Sequence, residues 1–309
     1  YPTGTSNVAL GDQALDSLSG GGYSVAIGNQ ALTAMTSGND NVAVGQIAMA
    51  ATTTGSANVA VGQNCMQVNT TGGSNTAVGA LALDSNTTAS NSTAIGYSSL
   101  GANTTGASNT GIGTYSLASN TTGAGNFAAG YNSLGSNTTG EKNTAVGFRS
   151  LQSNTTGDRT VAIGHSALYT QNFTGGDISY NTAVGFESMY NLTTGQFNTA
   201  VGYQEGTGIT TGASNTAVGA NALDSNTTAS FNVAVGKDTL QANTTGASNT
   251  GLGQGALYAN TTASNNTAVG KSALVANTTG ANNVAVGMVA LNSNSAGQEN
   301  TAVGQASLY

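Results

Sequence analysis

One histidine, His165, and one cysteine, Cys65, are the only side chains of their kinds in 309 residues. A hydrolytic triad needs a base beside a nucleophile and an orienting acid, and no Ser, Asp or Cys pattern of that type surrounds His165. A structural or catalytic zinc site needs three or four closely spaced ligands, and one His and one Cys 100 residues apart cannot supply them within one chain. Strings such as Gly111-Ile112-Gly113 lack the strand-to-helix setting of a nucleotide-binding loop. The Gly/Asp pattern of calcium-binding rolls is missing as well. The expectation is therefore no enzyme, no cofactor and no metal. Cys65, with no intrachain partner, reads as a small buried residue.

Charge narrows the partners. Five basic residues (Lys142, Arg149, Arg159, Lys237 and Lys271) stand against 12 acidic ones, for a net charge of −7. Binding a phosphate backbone or an anionic membrane surface takes clustered cations, so neither nucleic acid nor membrane is expected as a partner. No stretch approaches the roughly 18 apolar residues of a membrane span. Much of the charge lies in one region: Glu141, Lys142, Arg149, Asp158, Arg159, Asp177 and Glu187. The same region holds aromatic residues at a recurrent spacing, Tyr97, Tyr131, Phe148, His165, Phe186 and Tyr203, in a row broken by Thr114. It also holds an irregular segment, residues 169–180, carrying Tyr169, Asn172, Phe173, Asp177 and Tyr180. Two readings compete for the aromatic row: packing against a neighbouring coil or chain, or an exposed stacking platform for sugars. Specific contact with a surface glycan or receptor is expected to centre on residues 141–205. The many Asn-Thr-Thr triplets, such as Asn86, Asn103 and Asn120, are formal N-glycosylation acceptors, but stacked Asn and Thr in turns explain their regularity more simply.

What must position these residues is a repeat. Asn-Thr-Ala-Val-Gly recurs with its glycine at Gly11, Gly28 and every 17 residues to Gly164, then from Gly185 to Gly304 in the same step. The single step of 21, between Gly164 and Gly185, is a four-residue insertion within 169–180. We number the repeat from the Asn of this motif as position one. Position three is Ala or Gly, position four is β-branched or Leu except at Ala129, and positions eight and nine are a small residue followed by Leu or Met in most copies. Alternation puts positions two and four on one strand face and position three on the other. Restriction on both faces predicts a strand buried on both, and the closing glycine predicts a turn at positive φ. Positions eight and nine predict a second short strand, and Glu205-Gly206, replacing the usual pair, predicts a bulge or loosened coil. The whole chain, 1–309, is expected to be one all-β domain, a parallel β-solenoid of 18 coils of 17 residues. Four or five apolar side chains per coil make a thin core, which predicts a second buried surface between chains.

Ser24-Val25-Ala26-Ile27-Gly28 and Val161-Ala162-Ile163-Gly164 resemble the repeat signature of trimeric autotransporter adhesin heads, the YadA-like family; similar repeats occur in phage tail-fibre-like proteins. The resemblance covers essentially the whole chain and implies a left-handed β-roll, a homotrimer, and an extracellular or cell-surface fibre, or a virion tail fibre. It departs in its 17-residue period, longer than is usual in those heads, and in lacking their neck, stalk and anchor. Starting at Tyr1, the chain is expected to be a piece of something longer. The functional expectation is a structural or adhesive fibre segment, with a phage tail-fibre shaft as the alternative and an ice-binding solenoid as a minor one.

Overall fold

The computed structural model describes residues 6–173, 175 and 177–308, which form two compact units: 6–158 with Gly175, and 159–173 with 177–308. Each is a parallel β-solenoid, and there is no helix among the described residues. In the first unit, β1 to β9 are Val8–Leu10, Val25–Ile27, Val42–Val44, Val59–Val61, Thr76–Val78, Thr93–Ile95, Thr110–Ile112, Phe127–Ala129 and Thr144–Val146. In the second, β10 to β18 are Val161–Ile163, Thr182–Val184, Thr199–Val201, Thr216–Val218, Val233–Val235, Thr250–Leu252, Thr267–Val269, Val284–Val286 and Thr301–Val303. Within each unit every strand pairs in parallel with the next at a register of one repeat, as Val59↔Thr76, Ala60↔Ala77 and Val61↔Val78 do between β4 and β5. The four-residue insertion is absorbed between β10 and β11, which still pair Ala162 with Ala183.

The strand faces differ from the expectation of burial on both sides. The position-three alanines are fully buried, whereas position four looks outward: Val61, Val78, Ile95 and Ile112 are 37–41% exposed. Two features of the sequence produce this. Only a methyl fits beneath the strand, where the position-nine Leu or Met fills the coil, so the bulkier β-branched residues are left outside. Position two is outward too; Phe127, beside Ala129, is exposed.

Nor is there a second strand at positions eight and nine. Leu32, Met49, Leu83 and Leu100 adopt φ of +50 to +52 and sit at 0% exposure in a turn. Position seven is left-handed as well (Asn64, φ 54), and so is position seventeen (Ser74, φ 58). Left-handed backbone is unfavourable for a residue with a Cβ, and here identical turns stack and bond to one another, as Met66 N–H does to Ala82 O at 2.9 Å. The position-five glycines meet the expected turn, with φ of +112 to +143. A Cβ on Gly79 would lie 2.6 Å from Gly96 O, so the coil spacing itself excludes a side chain there.

Polar side chains stack inside the coils in two columns. At position one, Asn58 Nδ2 donates to Asn41 Oδ1 (3.2 Å) and to Gly72 O (2.9 Å). At position twelve, Asn86, Asn103, Asn120 and Asn137 are fully buried and each donates to the Asn one coil earlier, at 2.8, 3.2, 2.8 and 2.7 Å. The stack satisfies most of these buried amides, the condition under which a polar core is tolerated; Asn154 Oδ1 and Asn266 Nδ2 are exceptions without a partner among the described residues. Cys65, at position eight, is also buried, its thiol pointing at Ala77 O (3.3 Å), and burial pushes its pKa up to about 12, so it stays a neutral thiol.

Candidate surface-contact site

The aromatic and charged residues stand in columns at positions six, seven, ten and seventeen, because each position of the repeat projects in a fixed direction from every coil. Position six carries the long row. In the first unit Tyr131 stacks on Phe148 (centroids 5.4 Å, 14°), and the Arg149 guanidinium lies 5.0 Å from the Phe148 ring centre. The break at Thr114 is closed from the next column: Tyr115, at position seven, meets Tyr97 and Tyr131 edge-on at 5.5 and 6.2 Å. In the second unit His165, Phe186 and Tyr203 stack at 5.1 and 5.5 Å. These rings are exposed, yet Phe186 has both faces covered by its neighbours. What the row's interior offers outward is ring edges, while stacking on a sugar requires a free face.

Position ten carries Tyr169 stacked on Tyr190, nearly parallel at 5.0 Å. Position seventeen carries the Arg159 guanidinium 5.9 Å from the Tyr180 ring centre, and Tyr180 stacked on Phe197 at 5.4 Å. Of the insertion, Asp177 is exposed and Asn172 is half-buried, its N–H donating to Thr193 O at 3.1 Å. Thr174 and Gly176 lie outside the described residues. Phe173 corrects the expectation of a surface contact. It is 1% exposed, among the largest buried side chains of the chain. The insertion brings one ring inward to fill the coil, and Gln171, in the position-twelve slot, stitches it to Thr160 Oγ1 and Asn181 Nδ2, both at 2.9 Å. Of the eleven candidate residues, Tyr131 and Phe148 stand in the first unit; of the nine in the second, eight sit in separate surface columns or on the insertion, and one, Phe173, is core.

Three features escaped the sequence reading. A shallow hollow of about 280 Å³ opens where Ala80 interrupts position six, lined by Gln63, Asn64, Leu81 and Tyr97. The signal for it was a small residue in a row of large ones. The coil containing Glu205 and Gly206 is also not loosened. Met189 N–H donates to Glu205 O and Gly206 N–H to Ala222 O, both at 2.9 Å, and Ile209, at position twelve, is buried in place of the missing leucine. The Glu205 carboxyl is fully buried with neither oxygen hydrogen-bonded. Burial pushes its pKa up to about 7. Finally, the position-twelve asparagines are buried, which leaves no room for a glycan on those side chains of the folded chain.

Among the described residues no group of three His, Cys, Asp or Glu is placed to hold a metal ion, and no helix is long and apolar enough to cross a membrane. The chain matches no protein-family model, and no curated protein matches its sequence.

Proposed function

We propose that the chain is the shaft of an extracellular homotrimeric fibre, a left-handed β-roll of the YadA-like kind, with a structural and adhesive role and no catalytic one. One observation carries the reading. In each unit the outward position-four residues form an unbroken column of Val, Ile and Leu, with only Ala129 reduced, on a surface otherwise made mostly of Asn, Thr, Ser and Gly. Covering apolar area contributes about 25 cal/mol per Å², so a column of this regularity favours a matching column on another copy. Identical repeats make that face self-complementary along its length. Three copies present every surface feature three times, which lets weak contacts with a glycan-bearing surface combine by avidity. A bacterial adhesin and a phage tail fibre share this shaft.

The test is assembly. Light scattering on the purified chain is expected to give three times the chain mass, and Val78→Lys with Ile112→Lys to lower it while the β-rich circular dichroism persists. A wild-type chain that stays folded and monomeric at micromolar concentration refutes the fibre reading.

A further inference from the structure

We infer that the gap between Phe197 and Phe231, floored by Ser214, is a binding slot for a neutral pyranose ring. All three residues occupy position seventeen of successive coils, in the second unit. Their φ values are 58, 57 and 62, so the three Cα–Cβ bonds leave equivalent backbones and point the same way. The column is aromatic from Tyr180 to Phe197, stacked at 5.4 Å, then loses one rung at Ser214 and resumes at Phe231. Phe197 has one face covered by Tyr180, and among the described residues no ring covers the other. Among the described residues Phe231 has no ring partner, and at 65% it is the most exposed aromatic side chain, with Phe197 at 53%.

The height of the gap selects the ligand. Two coils at the interstrand spacing of about 4.8 Å separate the two rings by about 9.6 Å. A flat ring inserted midway lies about 4.8 Å from each, within the usual range for ring stacking and close to the 5.0–5.5 Å of the stacked pairs in this chain. The Thr114 gap in position six has the same height but is filled by Tyr115; no aromatic residue fills the gap at Ser214.

The chemistry of the rim selects between ring types. The Ser214 hydroxyl makes no hydrogen bond within the described residues, and Thr216, outward two residues further on, leaves its hydroxyl equally open. Hydroxyls at the floor serve a ring whose edge carries hydroxyls and whose faces carry C–H bonds, which describes a pyranose. An aromatic side chain has no use for them. The ligand is neutral, since the three rungs carry no charge and the charged residues of their coils, 181–231, are the buried Glu205 together with Glu187 and Asp224, which accept hydrogen bonds from Gln204 and Thr207.

Saturation-transfer NMR on the purified protein, with methyl β-glucopyranoside and methyl β-galactopyranoside at millimolar concentration, tests the slot. Transfer to the ring C–H protons is expected from at least one sugar, with a five-fold or greater loss in Phe231→Ser. Ser214→Phe supplies the missing rung, so it should abolish transfer while the melting temperature holds or rises; this variant decides the matter should Phe231→Ser fail to fold. Unchanged transfer in Ser214→Phe, silence from both sugars, or displacement of the sugar by equimolar N-acetylphenylalaninamide overturns the inference. The slot deepens the adhesive reading but rests on the column alone. A sugar-binding monomer sinks only the fibre, and a trimer silent to both sugars sinks only the slot.

Discussion

Replacing Glu205 by Gln should turn a pH-sensitive solenoid into a pH-insensitive one at that coil. The wild-type carboxyl is fully buried, both oxygens lack partners, and its own and both adjacent coils contain no Lys or Arg. The titratable residues of those coils are Glu187, which accepts from Gln204 Nε2 at 2.8 Å, Asp224, which accepts from Thr207, and Tyr190 and Tyr203. None of them supplies a positive charge. A carboxyl whose folded pKa stands above its unfolded one binds its proton more tightly in the folded state. Its stabilising effect is complete below the unfolded value and is lost as pH rises to the folded one. With an ordinary value of 4.5 and a folded value of about 7, the loss is about 1.4 kcal/mol per pH unit across that window and about 3 kcal/mol in all. Asp84, also raised by burial, adds a pH dependence of the same sign elsewhere in the chain, and Asp238, lowered first by its hydrogen bond from Lys237, adds one of the opposite sign. The comparison is therefore between wild type and Glu205→Gln at each pH. Hydrogen-exchange protection of Met189, Gly206 and Gly208, whose N–H groups bond across neighbouring coils, is the local readout. The two proteins should match near pH 4.5 and diverge by up to about 3 kcal/mol at pH 8, with the variant the more stable. Parallel protection from pH 4.5 to 8 would show that the carboxyl is solvated, and would refute the reasoning.

Three further outcomes are expected. Ala217→Leu should cost about 1–3 kcal/mol by overfilling the interior of a single chain, so the loss should be independent of protein concentration in chemical denaturation. Co-expression with an oligosaccharyltransferase should leave Asn86, Asn103 and Asn120 unmodified in folded protein by mass spectrometry, and Asn103→Ala, which strands Asn86 Oδ1 and a donor of Asn120, should cost about 1–3 kcal/mol. Phe173→Ala should cost about 3–5 kcal/mol, measured by thermal unfolding, against less than about 0.5 kcal/mol for exposed Asp177→Asn.

The parts of the fold legible in the sequence were those fixed by sterics at one position. A glycine that never varies in 18 copies marks a backbone with no room for Cβ, and Gly79 against Gly96 O is that contact. An unvarying small residue at position three marked the inside. The left-handed leucines were not legible, since leucine at positive φ is rare enough that a strand was the better guess; stacking of identical turns is what offsets the strain. Position twelve carried a signal that was overlooked: it holds Asn in most coils but Leu18, Met35, Leu192 and Ile209 in others. A site that exchanges amide for hydrocarbon is interior, and reading it so would have placed the Asn column, and its closure to glycans, in advance. Phe173 resisted because one ring in a polar insertion looks the same whether it turns in or out.

The uniform span of the ladder bonds has a kinetic consequence. Thr70 N–H reaches Thr87 O, and Val59 N–H reaches Asn75 O, about one coil away in sequence. Loop-closure entropy rises only as the logarithm of loop length, and here every added coil except the one carrying the insertion closes a loop of the same small size. Within a unit no contact waits for a distant segment to be synthesised, so folding proceeds as a zipper from whichever pair of coils forms first. Its growing end is a strand edge of unpaired N–H and C=O groups with the sequence of every other coil. The next coil of the same chain must reach that edge before a coil of another chain does, and a 17-residue tether gives it the advantage of proximity at each step.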